Sequence, residues 1–448
     1  MEKFSSRITT ILPKSIKELA LKDVAKLYLL QEVTGCAVHL LLQECAENFF
    51  QGDIQQSLAK SEELLSYSWE KLNTGHWKDV DIAWRHVYTY GSLLKVMSIC
   101  AQCDSGDNTE DAFQTKFKKA LEACDMGLLM GAPVLDNILS RFARAIQTVY
   151  QPLLPEHCRS KTQEPFVKPS LPSCPVLTIS KEHEIPRVSC PSLFHFQSQY
   201  MQTKTPVIIQ GAMDHWPALG AKKWSLDYLH HVAGTRTVPI ELGAKYTDES
   251  WSQSLMTISD FISTYIEGKK TSQGKGQVGY LAQHQLFYQI PELRDDICIP
   301  DYCCLHDNKE DAEREHNPSS QFNQDRDSDC DDVDSNVDIN AWFGPAGTVS
   351  PLHTDPKHNC LAQVVGEKFI RLYSEEMTPC LYPHGDRLLH NTSQVDVENP
   401  DLSCFPLFSS ADYQEAILKA GEMLYIPPRC WHYVRSLTTS FSVSFWWV

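Results

Sequence analysis

Three potential metal ligands are set among short alternating segments near the C-terminus, and that combination restricts the chain to a small class of β-folds. Lys368 to Tyr373 alternates like a strand. Gly421 turns into Glu422 to Ile426, which stops at Pro427 and Pro428, and Ser440 to Trp447 alternates again. A period of two belongs to a strand, whose successive side chains face opposite ways. His353 and Asp355 are two residues apart, so one strand aims both at the same face, and Pro356 ends the ladder behind them. His432 follows 79 residues later, inside Trp431 to Tyr433, and closes a triangle from a neighbouring strand. Two histidines and one carboxylate on one side of an ion suit Fe(II) in oxygenases, because the open side takes a co-substrate and dioxygen. Strands that carry ligands into a shared interior predict a double-stranded β-helix, the cupin or jelly-roll barrel. His358 is close enough to compete as a ligand, but its step from His353 is odd, so it reads as a supporting or surface residue.

Upstream the pattern changes to a helical one. Ser15 to Glu18 is a capping box before Leu19, Val24, Leu27 and Leu30, and Asp53 starts a second helix carrying Leu58, Leu65, Trp69 and Leu72. Phe113, Phe117, Ala120, Leu121, Cys124 and Leu128 keep the helical period, as do Val134, Ile138, Phe142, Ile146 and Val149. These residues predict an all-α module over 1–151, with no tetratricopeptide signature, that docks partners or packs on its neighbour. Eight of the 25 prolines fall between Pro152 and Pro191, which marks 152–190 as a linker. The fold class expected is therefore α+β: a helical module, then a barrel over 191–448. At 448 residues and 42% hydrophobic residues the chain is long enough and apolar enough for both.

The formal net charge of −17 is unevenly spread. The stretch 305–338 holds 12 acidic and 3 basic residues and almost no aromatic ones, which predicts a disordered acidic insertion. Asp325, Asp327 and Asp329 begin like a calcium loop, but Cys330 stands where glycine is needed and Asn336 where the bidentate glutamate belongs. This acidity disfavours direct nucleic-acid binding. No apolar run reaches the roughly 18 residues of a membrane span, and no signal peptide is expected. Sixteen cysteines without regular spacing predict reduced thiols in the nucleus or cytosol, with Cys100 and Cys103 as plain helix thiols. The sequon at Asn391 would go unused there.

Gly279 to His284, Ala341 to Pro345, Ser350 to Pro356, His390 to Pro400 and Ser444 to Trp447 together give the segment from about 190 to 448 a family likeness. It resembles a Jumonji-C oxygenase domain. The resemblance implies Fe(II) held by His353, Asp355 and His432, with 2-oxoglutarate and O2 as co-substrates. It also implies that Lys368 meets the distal carboxylate of 2-oxoglutarate, with Tyr280, Ser350, Asn359 and Trp446 beside it. By motif match, Glu241 and Trp342 would clamp a substrate arginine, the carboxylate taking the guanidinium while the indole stacks on it.

The expected function is a protein hydroxylase acting on arginine residues, with protein substrates as partners, histone tails among them. Methyl-lysine demethylation is the alternative within the class. A non-catalytic chromatin-associated scaffold and a zinc-type cupin isomerase are alternatives outside it, the last disfavoured because such sites carry another histidine where Asp355 stands.

Overall fold

The computed structural model describes residues 11–19, 31–75, 79–104, 110–150, 179–243, 245, 251–268, 278–306, 336–386 and 389–448. Val24, Leu27, Leu30, most of the proline-rich segment, Tyr246 to Glu249 and positions 307–335 of the acidic stretch lie outside the described residues. The Ser15 half of the capping box is present, and its Glu18 half falls one residue earlier. Its hydroxyl accepts from the Glu18 amide at 3.4 Å, and the Glu18 carboxylate accepts from the Lys14 amide at 2.6 Å.

The helical module comprises α1 (Cys36–Gln51), α2 (Ile54–Leu72), α3 (Ile82–Asp104), α4 (Glu110–Met130) and α5 (Ile138–Tyr150). Asp53 caps α2 by accepting from the Gln56 amide at 3.2 Å. The face that α2 buries differs from the one expected. Ser57, Ser61, Leu64, Ser68 and Leu72 are buried, whereas Trp69 is 41% exposed. Serine can line a helix contact because its hydroxyl bonds back to its own helix, as Ser68 does to the Leu64 carbonyl at 2.6 Å. Ser57 instead reaches Ser98 of α3 at 3.1 Å. The face expected from α4 and α5 holds, with Phe117, Leu121, Cys124, Phe142 and Ile146 in the module's core. Cys100 and Cys103 are buried thiols of α3.

The strands are β1 (Arg187–Ser189), β2 (Val207–Gln210), β3 (Thr237–Leu242), β4 (Ser252–Thr257), β5 (Gly279–His284), β6 (Asp338–Gly344), β7 (Val349–His353), β8 (His358–Val365), β9 (Glu367–Tyr373), β10 (Gln414–Lys419), β11 (Glu422–Ile426), β12 (Trp431–Ser436) and β13 (Ser440–Trp447). One sheet runs β1-β2-β11-β8-β13-β6-β5-β3-β4 and the other β10-β9-β12-β7. Ile370 and Leu372 of the small sheet meet Ile208, Leu424 and Ile426 of the large one, so the two sheets face each other as a jelly roll. Helices cover the outer face of the large sheet through a core of Trp216, Trp224, Phe261, Phe441 and Phe445.

The last strand explains why alternation there does not mean exposure. β13 pairs with β6 on one side and β8 on the other, and nearly all of it is buried. Its apolar set, Phe441, Val443, Phe445 and Trp447, faces the helices. Its serines face the barrel interior, where Ser442 donates to Gln363 at 2.6 Å and Ser444 accepts from the Trp342 indole at 2.9 Å.

A candidate metal and co-substrate site in the barrel

His353 and His432 are cross-strand partners in β7 and β12, which sets their rings 4.1 Å apart. Asp355 is not on that strand. β7 ends at His353, and Asp355 sits two residues on in the loop, where its carbonyl accepts from the Arg429 amide at 2.7 Å. Pro356 accounts for the early end, since it lacks a ladder N–H and holds the preceding backbone extended. From the loop, the Asp355 carboxylate still reaches His432 Nε2 at 3.5 Å and His353 Nε2 at 3.9 Å. One ligand atom from each of the three lies within 4.8 Å of the others, and among the described residues no other group of His, Cys, Asp or Glu converges this way.

The backbone fixes which nitrogens face the centre. His353 Nδ1 lies 2.7 Å from the Pro351 carbonyl, and His432 Nδ1 lies 3.0 Å from the Cys430 carbonyl. A carbonyl only accepts, so each Nδ1 carries the proton and each Nε2 presents its lone pair to the space beside Asp355. Burial, reinforced by nearby His432, pushes the His353 imidazole down to about 4, so it is the neutral, ligating form at pH 7. His358 is neither a fourth ligand nor a surface residue. It is buried, bonded to the Tyr425 hydroxyl at 2.8 Å and stacked on Trp447.

Next to the triad, the cavity is lined by Lys368, Tyr280, Ser350, Asn359, Trp342 and Trp446. Lys368 is 1% exposed. Its ammonium donates to the Tyr280 hydroxyl at 3.2 Å, and among the described residues no carboxylate pairs with it. Burial pushes it down to about 7. Asn359 Oδ1 and Trp446 Nε1 are buried without a protein partner. A desolvated ammonium beside an unpartnered indole N–H is costly by itself, and a bound dicarboxylate would accept from both. Both the donor set of the triad and this neighbourhood fit a metal with a 2-oxo acid.

Trp342 lines the cavity with its ring 6.2 Å from that of Tyr280. Glu241 does not line it. It pairs with Tyr280 across β3 and β5, which puts both side chains on one face, and it accepts from Trp251 Nε1 at 3.4 Å. Burial raises its carboxyl above the usual range. Leu361, Val434 and Ser444 also line the cavity, although the motifs did not single them out. Alternation would have found them, since each stands two residues from Asn359, His432 or Trp446.

Residues 193–448 match the family described as a cupin-like domain, and residues 20–153 match one described as KDM8-like, N-terminal ARM repeats. Lysine-specific demethylase 8 of Danio rerio is 48% identical over 98% of this chain and 98% of its own length. The protein of the same name in Xenopus tropicalis is 43% identical over 91% and 92%. Lysine-specific demethylase JMJ30 of Arabidopsis thaliana is 40% identical over 85% and 83%. With the barrel and the triad already in place, these matches show that the chain belongs to the cupin-like, JmjC-domain family of 2-oxoglutarate oxygenases, among the members with KDM8-like N-terminal ARM repeats.

Proposed function

We propose that this chain is an Fe(II)- and 2-oxoglutarate-dependent hydroxylase of arginine residues in protein substrates. The observation that supports this reading is the register of Glu241 with Tyr280, which puts a carboxylate on the same sheet face as a tyrosine whose ring lies 6.2 Å from that of Trp342. His353, Asp355 and His432 would hold the iron. Lys368 would meet the distal carboxylate of 2-oxoglutarate, with Trp446 Nε1 donating and Tyr280, Ser350 and Asn359 completing the polar wall. When bound, the iron and 2-oxoglutarate supply the oxidation: dioxygen is split, 2-oxoglutarate leaves as succinate and CO2, and a substrate carbon gains oxygen. Glu241 would take the guanidinium through two parallel hydrogen bonds, and Trp342 would stack on its plane. Together they hold the side chain still while water is excluded by the surrounding Leu361, Ile426 and Val434.

A second reading is methyl-lysine demethylation, and the names of the relatives favour it over arginine hydroxylation. A carboxylate among aromatic rings also suits a methylated ammonium. Histone tails, and with them the nucleus, belong to that reading.

Mass spectrometry of peptides after turnover separates the two. One oxygen added to arginine supports hydroxylation, and one methylene lost from lysine supports demethylation. Glu241→Ala should depress peptide oxidation far more than uncoupled succinate release, whereas His353→Ala should abolish both. Equal succinate release by wild type and His353→Ala would overturn the metal assignment, and no release by the wild type would leave the scaffold reading.

A further inference from the structure

Glu241 pairs with Gln253 and Pro239 with Leu255 across β3 and β4, so these four side chains share one face of the sheet. Val238 and Ile240 point the other way into the core. The shared face also carries Tyr280, the partner of Glu241 on β5. Moving along β3 away from the cavity, it becomes one wall of a groove. The opposite wall is the helical module, through Trp69 and Asn73 at the end of α2 and Leu128 to Met130 of α4.

Three large apolar side chains stay open in this groove: Trp69 at 41%, Tyr288 at 43% and Leu255 at 47%. In a chain of net charge −17, no Asp, Glu, Lys or Arg among the described residues lines it. The polar lining is mostly amide, from Asn73, Gln253, Gln283, Gln285 and Gln289, with Ser254 and His284 beside them. β4 is the outermost strand of the large sheet, so among the described residues one row of its main-chain groups has no strand partner.

We propose that the groove binds an extended, uncharged segment of the protein substrate, continuous with the residue held at Glu241. This rests on reading Glu241 as the cation clamp. Side-chain amides and an open strand edge suit the main chain of such a segment, and Trp69, Leu255 and Tyr288 suit an apolar side chain on it. A strand advances about 3.3 Å per residue, so Leu255 lies roughly 7 Å along β4 from the level of Glu241. An apolar residue about two to four positions from the target therefore reaches it. A densely basic tail finds no carboxylate among the described residues there.

The probe is a peptide library with a fixed central arginine or methyl-lysine, presented to the full chain with 2-oxoglutarate. Retention should favour peptides with an apolar residue two to four positions from the centre. Leu255→Glu and Trp69→Ala, both at exposed positions, should erase that preference while leaving uncoupled 2-oxoglutarate turnover unchanged. Absence of retention, retention without the preference, or a preference that survives both substitutions would overturn the groove. Oxidation of the central residue is read separately in the same samples. A retained but unoxidised library thus counts against the hydroxylase or demethylase reading and not against the groove.

Discussion

Asn391 and Thr354 exchange two hydrogen bonds: the Thr354 amide donates to the Asn391 carbonyl at 2.9 Å, and Asn391 Nδ2 donates to the Thr354 carbonyl at 2.9 Å. Thr354 is the residue between His353 and Asp355. The pair therefore holds the loop that carries Asp355, the candidate carboxylate ligand, while Arg429 holds the next carbonyl. An asparagine that looked like an idle glycosylation site is a brace for the candidate metal triangle.

Asn391→Ala should weaken metal binding by about 10–100-fold, the usual cost of losing an outer support, with the ligands untouched. Titration with Mn(II) or Co(II) measures this directly. Binding as tight as wild type would show that the loop holds its shape without the brace.

The Lys368 ammonium gives the co-substrate pocket a pH dependence whose sign follows from its burial. Without co-substrate its pKa is pushed from 10.5 down to about 7. Between those values the unfolded chain holds a proton that the folded chain has released, so Lys368 makes stability rise with pH across that window. Binding of a carboxylate reverses the preference by favouring the charged form. Affinity for 2-oxoglutarate should then fall by up to about tenfold per pH unit above 7, with proton uptake on binding. Calorimetry in buffers of different ionisation enthalpy detects that proton. Lys368→Met should flatten the profile, and a flat wild-type profile would remove Lys368 from the pocket.

The barrel was legible in the sequence because its signals are local. Alternation in β9 and β13, the glycine turn before β11 and the prolines after it each lie within a few residues. The triad was legible because ligand type and strand spacing leave few arrangements, although Asp355 reaches the centre from a loop and not from β7. The buried face of α2 was not legible, because serines that satisfy their own hydroxyls look polar to any periodicity. Glu241 and Tyr280 meet through strand register, and Asn391 braces Thr354 from 37 residues away. Relationships of that kind depend on tertiary placement, and nothing in a short window of sequence encodes them.

The same holds for the contact between helical module and barrel. Asp125 of α4 and Arg236 are both 0% exposed, with Oδ1 2.6 Å from Nη2. Asp125 also accepts from the Thr237 amide at 2.7 Å and from Gln289 Nε2 at 2.8 Å, so it pins the start of β3, the strand of Glu241. Asp125→Ala leaves Arg236 charged and buried, and should cost about 3–5 kcal/mol. Asp125→Leu with Arg236→Met should cost less than that, because it removes both charges. Chemical unfolding of the two variants compares them, and a single variant no less stable than the double would show that the pair is not what joins the modules.

Trp447 tests whether the final strand holds the barrel together. It is 1% exposed, packs on His358 and Tyr425, and its indole donates to the Leu305 carbonyl at 2.9 Å. Cutting it to alanine removes a large apolar side chain from a packed core and leaves that carbonyl short of a donor. The expected loss is about 3–5 kcal/mol, against a total stability of about 5–15 kcal/mol for an ordinary domain. Trp446, its neighbour on the strand, faces the opposite way into the cavity, so Trp446→Phe should leave stability within about 1.5 kcal/mol of wild type while weakening 2-oxoglutarate binding through loss of the Nε1 donor. Thermal melts and co-substrate titrations on the two variants therefore give opposite results if the strand divides its work by face. A Trp447→Ala protein that melts with wild type would show that β13 is not the central support its pairing with β6 and β8 makes it.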